Sequence, residues 1–243
     1  MRSANSDFRN CLDVAKLKGP ASRWLQRKLK RQMKKEIRNE TNKKPKGTTV
    51  AHFLAKAGIL SALSFVLYLL RFPIAVIFPS FLDFQISDMP ALLAGFAMGP
   101  LGAVTVVIMR SLLKIITQGL SFGGIGDLAD IAVGLAFTLP SAIIYHFRKT
   151  KKAALLSIGI GIVATVLTAV IMNRFVLVPF MTENFGFDAV IGMLKSLFPD
   201  VTAENLYGYY IPLSVVPFNL LRCLVSGGLT FVLYKRLSKI LKW

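Results

Sequence analysis

Asn219 and Arg222, in the run PFNLLRC, place an amide and a guanidinium three residues apart. On a helix, that spacing puts both on one face. An amide and a planar guanidinium side by side can read the carbonyl and N–H edge of a flat ligand. Arg222 could equally pair with an acid from a neighbouring helix. Pro212 and Pro217 precede the pair and should bend the helix and free backbone carbonyls. Counted from Tyr210 at ~1.5 Å per residue, the two side chains lie ~13–18 Å along it. Asn173 offers one more donor and acceptor, and Arg174 beside it suits an outward, snorkelling conformation. Arg110 and Lys114 stand one turn apart, and Asp127 and Asp130 open a later apolar run. Arg110 with Asp130 and Lys114 with Asp127 are expected structural pairs, the acids also suiting a helix N-terminus. Asp88, before Met89-Pro90, reads as an N-cap and helix start rather than as chemistry.

Several kinds of chemistry have no motif here. GxxxxGK[ST], GxSxG and HExxH are absent, so neither a P-loop nucleotide site nor a hydrolytic centre is expected. Gly123-Gly124-Ile125-Gly126 follows no strand and reads as a turn. Cys11 and Cys223 are far apart with no CxxC, and His52 and His146 flank apolar runs as interfacial residues. The expectation is a non-enzyme with no metal and no cofactor.

The elements that must position these polar residues are apolar blocks. Of 243 residues, 54% are hydrophobic, yet the formal net charge is +18. Residues 1–47 hold 15 of the 30 Lys and Arg against 4 of the 12 Asp and Glu. Within them, RWLQRKLKRQMKKEIRNE carries Trp24, Leu25, Leu29 and Met33 at helical spacing, as in a basic amphipathic surface helix or a solvated tail. Six apolar blocks follow, at 54–70, 89–98, 101–117, 128–147, 153–180 and 210–234. A span needs ~20 apolar residues, so the second block is short.

Loop charge decides the count. With the basic N-terminus inside, Arg148, Lys149, Lys151 and Lys152 also fall inside, as do Lys235, Arg236, Lys239 and Lys242. The loops 71–88 and 181–209, richer in Asp and Glu, fall outside. This satisfies the positive-inside rule only with six spans, the second helix breaking at Gly99-Pro100. The predicted fold is an all-α, six-helix polytopic membrane protein with cytoplasmic N- and C-termini. Residues 1–49 form a basic extension and 50–243 a membrane domain that binds substrate. The Phe- and Pro-rich first loop and FGFDAVIGMLKSLF in the last, a candidate amphipathic helix, suit a cap over a cavity or a place among headgroups. In the first block Ala57, Gly58, Ser61 and Ala62 form a small-residue face where a partner helix could pack.

Three stretches carry a family resemblance: SDMPALLAGFAMGPLGAV, GIGDLADIAVG and VPFNLLRCLVSGGLTFVLYKR. Over about residues 50–240 the chain resembles the substrate-binding (S) components of energy-coupling factor vitamin transporters, in their riboflavin-specific branch. The resemblance implies a bacterial plasma-membrane subunit that captures riboflavin from outside. It would deliver riboflavin with a membrane coupling subunit and two cytoplasmic ATPases, riboflavin being cargo rather than cofactor. It implies that Asn173, Asn219 and Arg222 hold the ring, under a first outer loop, Pro79–Asp88, contributing Asp83, Phe84 and Gln85. This chain has Arg222 where Lys is common, QISD where DFSD is common, and Val107 where an acid is usual. The rival expectations are an S component for another vitamin or a flavin nucleotide, and a stand-alone carrier.

Overall fold

The computed structural model describes Arg31, residues 46–79 and residues 81–241. The chain divides into two units, Met1–Ala51 and His52–Trp243. Trp24, Leu25, Leu29 and Met33 of the expected amphipathic helix, Cys11 and Lys242 lie outside the described residues.

Helix α1 covers Lys46–Leu69. After it, β1 (Phe72–Pro73) and β2 (Asp83–Phe84) form an antiparallel pair, with Phe72 opposite Phe84 and Pro73 opposite Asp83. This short ladder is the one departure, among the described residues, from the all-α expectation; it pins both ends of the first loop. Helix α2 (Asp88–Met98) and helix α3 (Pro100–Gln118) are separated by Gly99 alone. Gly99 has φ +89°, a conformation that side chains resist, and Pro100 starts α3 where its missing N–H costs nothing. A 3-10 turn, Ser121–Gly124, leads into α4 (Ile125–Phe147). Helix α5 (Lys151–Met172) is capped by Thr150, whose side chain accepts from the Ala153 N–H. A π-helical turn, Asn173–Leu177, joins it to α6 (Val178–Phe185). Helix α7 (Phe187–Lys195) and the short α8 (Leu206–Tyr210) follow. A second π turn, Ile211–Val215, carries the chain into α9 (Val216–Leu241). Each π turn lies beside a proline, Pro179 or Pro212, and the cause is the donor that each lacks.

Among the described residues, five helical stretches are long and apolar enough to cross a membrane: Val50–Leu69, Pro100–Gln118, Ser121–Phe147, Lys151–Phe185 and Leu206–Tyr234. Helix α2 is apolar too, but its 11 residues span only ~16 Å at ~1.5 Å each, about half a hydrocarbon core. The outward faces are greasy: Ile116 is 79% exposed, Leu101 76% and Val232 69%. Water would penalise such a surface, whereas lipid tails solvate it.

Three packed regions hold the helices together, one of which joins Leu60 on α1, Ala91 and Ala94 on α2 and Val106 and Val107 on α3. A second gathers Met89, Leu92, Phe96, Phe137, Tyr145, Ile158 and Tyr234 from α2, α4, α5 and α9. There Phe96 and Tyr145 stack with centroids 4.3 Å apart. The backbones approach closely: a Cβ on Gly95 would meet Ala142 at 2.7 Å, and one on Gly227 would meet Ile158 at 2.6 Å. Close packing of this kind, rather than a hydrophobic drive, holds helices together in lipid. The third region seats the second loop. Val190 and Leu194, four apart on α7, pack with Leu177, Met181, Val201 and Tyr210. The amphipathic segment expected at FGFDAVIGMLKSLF is therefore a helix, and its apolar stripe faces protein.

Candidate ligand-binding site

A cavity of about 350 Å³ opens between the 81–85 segment of the first loop, the 121–126 turn and the ends of α1, α4, α5 and α9. Behind its floor, formed by Asp130 and Arg222, lies Asp88. As the first residue of α2, Asp88 does start a helix, as expected, but its side chain does chemistry that its local pattern hides. The carboxylate is 1% exposed. It accepts from Arg110 Nη1 at 2.6 Å and from Arg222 Nη2 at 2.7 Å. Ser87, not Asp88, holds the N-cap position. Asp130, on α4, takes Arg110 Nη2 at 2.9 Å and Arg222 Nη2 at 3.2 Å. Two guanidiniums and two carboxylates thus close a neutral ring across α2, α3, α4 and α9. Arg110 pairs with Asp130 as predicted from sequence. Val107, one turn before Arg110, is fully buried and apolar, and Asp88 and Asp130 supply the acids.

The first loop is wired into this floor. Gln85 Nε2 donates to Asp130 at 3.0 Å, Ser87 Oγ donates to Gln85 at 2.9 Å, and Arg110 donates to Ser87 Oγ at 2.8 Å. Side chains alternate along an extended strand. Asp83 and Gln85 accordingly line the cavity. Phe84, between them, does not; its ring meets Phe72 with centroids 5.7 Å apart. Of the three loop residues expected at the site, Phe84 is the one not among the cavity-lining residues.

Beside the floor, Lys114 pairs with Asp127, also as expected. Its ammonium donates to Ser121 Oγ at 2.5 Å and to the Gly119 carbonyl at 3.1 Å. Asp127 accepts the Ser121 N–H at 2.8 Å. This lock holds Phe122 at φ +48°, a left-handed conformation rare outside glycine, with its side chain on the cavity wall. The turn read from Gly123-Gly124-Ile125-Gly126 is thus a wall element.

Asn173, Asn219 and Arg222 all line the cavity. Arg222 uses Nη2 for both carboxylates, while Nη1 has no acceptor among the described residues and is not enclosed by protein. Asn219 donates through Nδ2 to the Val215 carbonyl at 2.8 Å, one turn back in the π-bulged stretch, leaving Oδ1 open. Asn173 donates to Ala169 O at 2.8 Å and accepts from the Tyr210 hydroxyl at 2.7 Å. A free donor and a free acceptor therefore stand one turn apart on α9. Phe81, Phe122 and Phe218 supply apolar walls, Phe81 lying 5.8 Å from Tyr210 and Phe218 edge-on to Phe78 at 5.3 Å. Arg174 does turn outward, where it lies over the Tyr207 ring at 3.6 Å.

Tyr210, Tyr68, Arg71 and Phe81 were not predicted as site residues. Only Tyr210 had a signal, as the aromatic that opens the sixth block; Tyr68 meets the cavity from the last turn of α1, and Arg71 and Phe81 meet it through loop geometry. The proposed docking face on α1 is divided by the fold. Ala57 and Ser61 are buried against the bundle at 3% and 2% exposure, while Gly58 and Ala62 face outward. Positions 57 and 61 are one turn apart, as are 58 and 62, and the ~100° step between the two rows carries them onto different faces.

The family model of the ECF transporter substrate-specific component matches residues 52–234, most of the chain. The chain belongs to this family. Riboflavin transporter RibU of Staphylococcus aureus (strain TCH60) is 29% identical to this substrate-specific component over 190 residues, 78% of this chain and 92% of that one. Riboflavin transporter FmnP of Bacillus subtilis (strain 168) is 32% identical over 130 residues, 53% and 68% of the two chains. Riboflavin transporter RibU of Streptococcus thermophilus is 30% identical over 195 residues, 77% and 83%. A solved structure of the S component of a bacterial ECF transporter aligns with a TM-score of 0.60 at 27% identity. That alignment covers 79% of this substrate-specific component and 98% of the solved chain.

Proposed function

We propose that this substrate-specific component binds riboflavin in the cavity described above and takes part in its ATP-driven uptake. The observation that carries the reading is the free donor on Arg222 beside the free acceptor on Asn219, at the polar end of a cavity walled by phenylalanines. Riboflavin's tricyclic ring presents carbonyls and an N–H along one edge and flat apolar faces elsewhere. The edge suits Arg222, Asn219 and Asn173, and the faces suit Phe81, Phe122 and Phe218. A volume of about 350 Å³ falls in the range of small-molecule sites. The riboflavin transporters among its relatives support the same substrate.

The membrane arrangement consistent with this reading has six helical segments, α2 reaching only part-way. The termini and the 148–152 loop would be cytoplasmic and the cavity would open outside, in a bacterial plasma membrane. Basic residues gathered on one side support that orientation. Energy would enter through a membrane coupling subunit and two cytoplasmic ATPases, since the chain has no phosphate-binding loop of its own. The outward row of Gly58 and Ala62 on α1 offers the coupling subunit a close approach; a Cβ added to Gly58 would meet nothing within 4 Å.

The test is direct. Chain purified from riboflavin-fed cells should carry a yellow chromophore with flavin absorbance, and the stripped chain should quench added riboflavin fluorescence at one flavin per chain. Colourless protein that quenches nothing when refilled would refute the assignment.

A further inference from the structure

Every cation described at the cavity or directly behind its wall has its own carboxylate. Arg222 and Arg110 share Asp88 and Asp130, Lys114 holds Asp127, and Arg71 meets Asp83 at 3.4 Å. Four cations face four anions. The helices that start beside the cavity also carry an acid in the first turn, Asp88 on α2 and Asp127 on α4, which makes their N-termini less attractive to an anion. A phosphomonoester carries about −1.5 to −2 charges at neutral pH, and proteins bind it with unmatched Arg or Lys or with free helix N-termini. This cavity has none among its described residues.

The four pairs differ in exposure. The Arg110 and Arg222 pairs with Asp88 are almost wholly buried, whereas Arg71 and Asp83 are 31% and 35% exposed. Arg71 and Asp83 both line the cavity, and their exposure places them on its solvent side. A flavin whose ring edge meets Arg222 and Asn219 in the interior extends its ribityl tail toward that solvent side.

We infer that Asp83 is a specificity-determining residue: by neutralising Arg71 at the cavity mouth, it makes the site select uncharged riboflavin against riboflavin 5′-phosphate. The inference rests on the riboflavin reading above. Asp83 acts through Arg71. With its carboxylate gone, Arg71 becomes a free guanidinium where a terminal phosphate would arrive, and discrimination relaxes. With Arg71 gone instead, Asp83 stands as an unmatched anion and discrimination sharpens.

The full-length chain in lipid nanodiscs can be titrated with riboflavin and with riboflavin 5′-phosphate, and the ratio of the two dissociation constants read. The wild-type ratio should favour riboflavin by at least about tenfold, as expected where a charged group meets no partner. In Asp83→Asn the ratio should fall by about tenfold or more, and added salt should restore it, since a lone surface cation is screened. Arg71→Gln should raise the ratio, and the double variant should return toward wild type. A wild type that binds both flavins equally overturns the inference. So does an Asp83→Asn variant that weakens both by one factor, or an Arg71→Gln variant that lowers the ratio. A wild type that binds neither flavin refutes the riboflavin reading itself.

Discussion

Replacing Asp88 by Asn keeps the shape of the side chain and removes one charge from the middle of the bundle. In the native ring, Arg110 and Arg222 are balanced by Asp88 and Asp130, and Asp88 accepts one hydrogen bond from each arginine, at 2.6 and 2.7 Å. After the change two guanidiniums share Asp130 alone, and the cluster carries a net positive charge. Removing one partner of a buried ion pair costs about 3–5 kcal/mol. Two charge-assisted hydrogen bonds at about 1.5–3 kcal/mol each give a sum of the same order. Asp130→Asn is the natural control. It leaves each arginine bonded to Asp88, and the Asp130 side chain is 20% exposed, so its loss should cost roughly 1–3 kcal/mol. Equilibrium unfolding in mixed micelles, followed by far-ultraviolet circular dichroism and by retained flavin quenching, measures both. Asp88→Asn within about 1 kcal/mol of wild type, or no more harmful than Asp130→Asn, would refute the view that the ring is centred on Asp88.

Three more outcomes are expected. Asn219→Ala and Arg222→Ala should each weaken riboflavin binding at least about tenfold, a buried hydrogen bond to a ligand being worth about 1–3 kcal/mol; titration with wild-type affinity for either rejects the contact. In a Cys11→Ser background, where Cys223 is buried, an impermeant thiol reagent on intact cells should label Gly192→Cys and spare Lys149→Cys; the reverse pattern rejects the orientation. Gly58→Trp with Ala62→Trp should lower riboflavin uptake by cells while purified chain still quenches flavin fluorescence, and undiminished uptake would move the coupling contact elsewhere.

The helices were legible because membrane spans are written in composition over long windows. The block 153–180 became α5 with its continuation to Phe185, and 128–147 became α4 with one more turn at its start. Ion pairs between sequential helices were also legible. Arg110 and Asp130 are 20 residues apart, and depth in two neighbouring antiparallel helices is easily counted from their shared turn. Asp88 was not legible as a partner. Its bond to Arg222 spans 134 residues, and locally an acid before Met-Pro needs no explanation beyond the start of a helix. The small-residue face failed for another reason. The spacing shows which residues lie near one another on α1, but only the packed bundle shows that Ala57 and Ser61 turn inward while Gly58 and Ala62 do not. Phe84 was named from its neighbourhood in the loop, and the strand's two-residue period sends it the other way.

Asp88 ties the helices to Arg222, so in the proposed site stability and affinity would not be tuned independently. In the proposed site, Arg222 would bind through Nη1 while Nη2 is held by Asp88 and Asp130. A guanidinium is rigid and planar, so anchoring one nitrogen sets the direction of the rest. A lysine at this position could not divide the work in this way, because its single ammonium would serve both the carboxylates and the ligand. The same coupling reaches the first loop. Gln85 donates to Asp130, whose other bonds are to Arg110 and Arg222. A shift of Arg222 onto a ligand is therefore felt at Gln85, and movement of the loop is felt at Arg222. Arg222→Lys should accordingly lose riboflavin affinity even with its charge retained. It should also weaken the hold of Asp130 on Gln85, seen as faster flavin dissociation out of proportion to any change in association. An Arg222→Lys variant with wild-type association and dissociation rates would show that charge alone, and not the fork, is what the site requires.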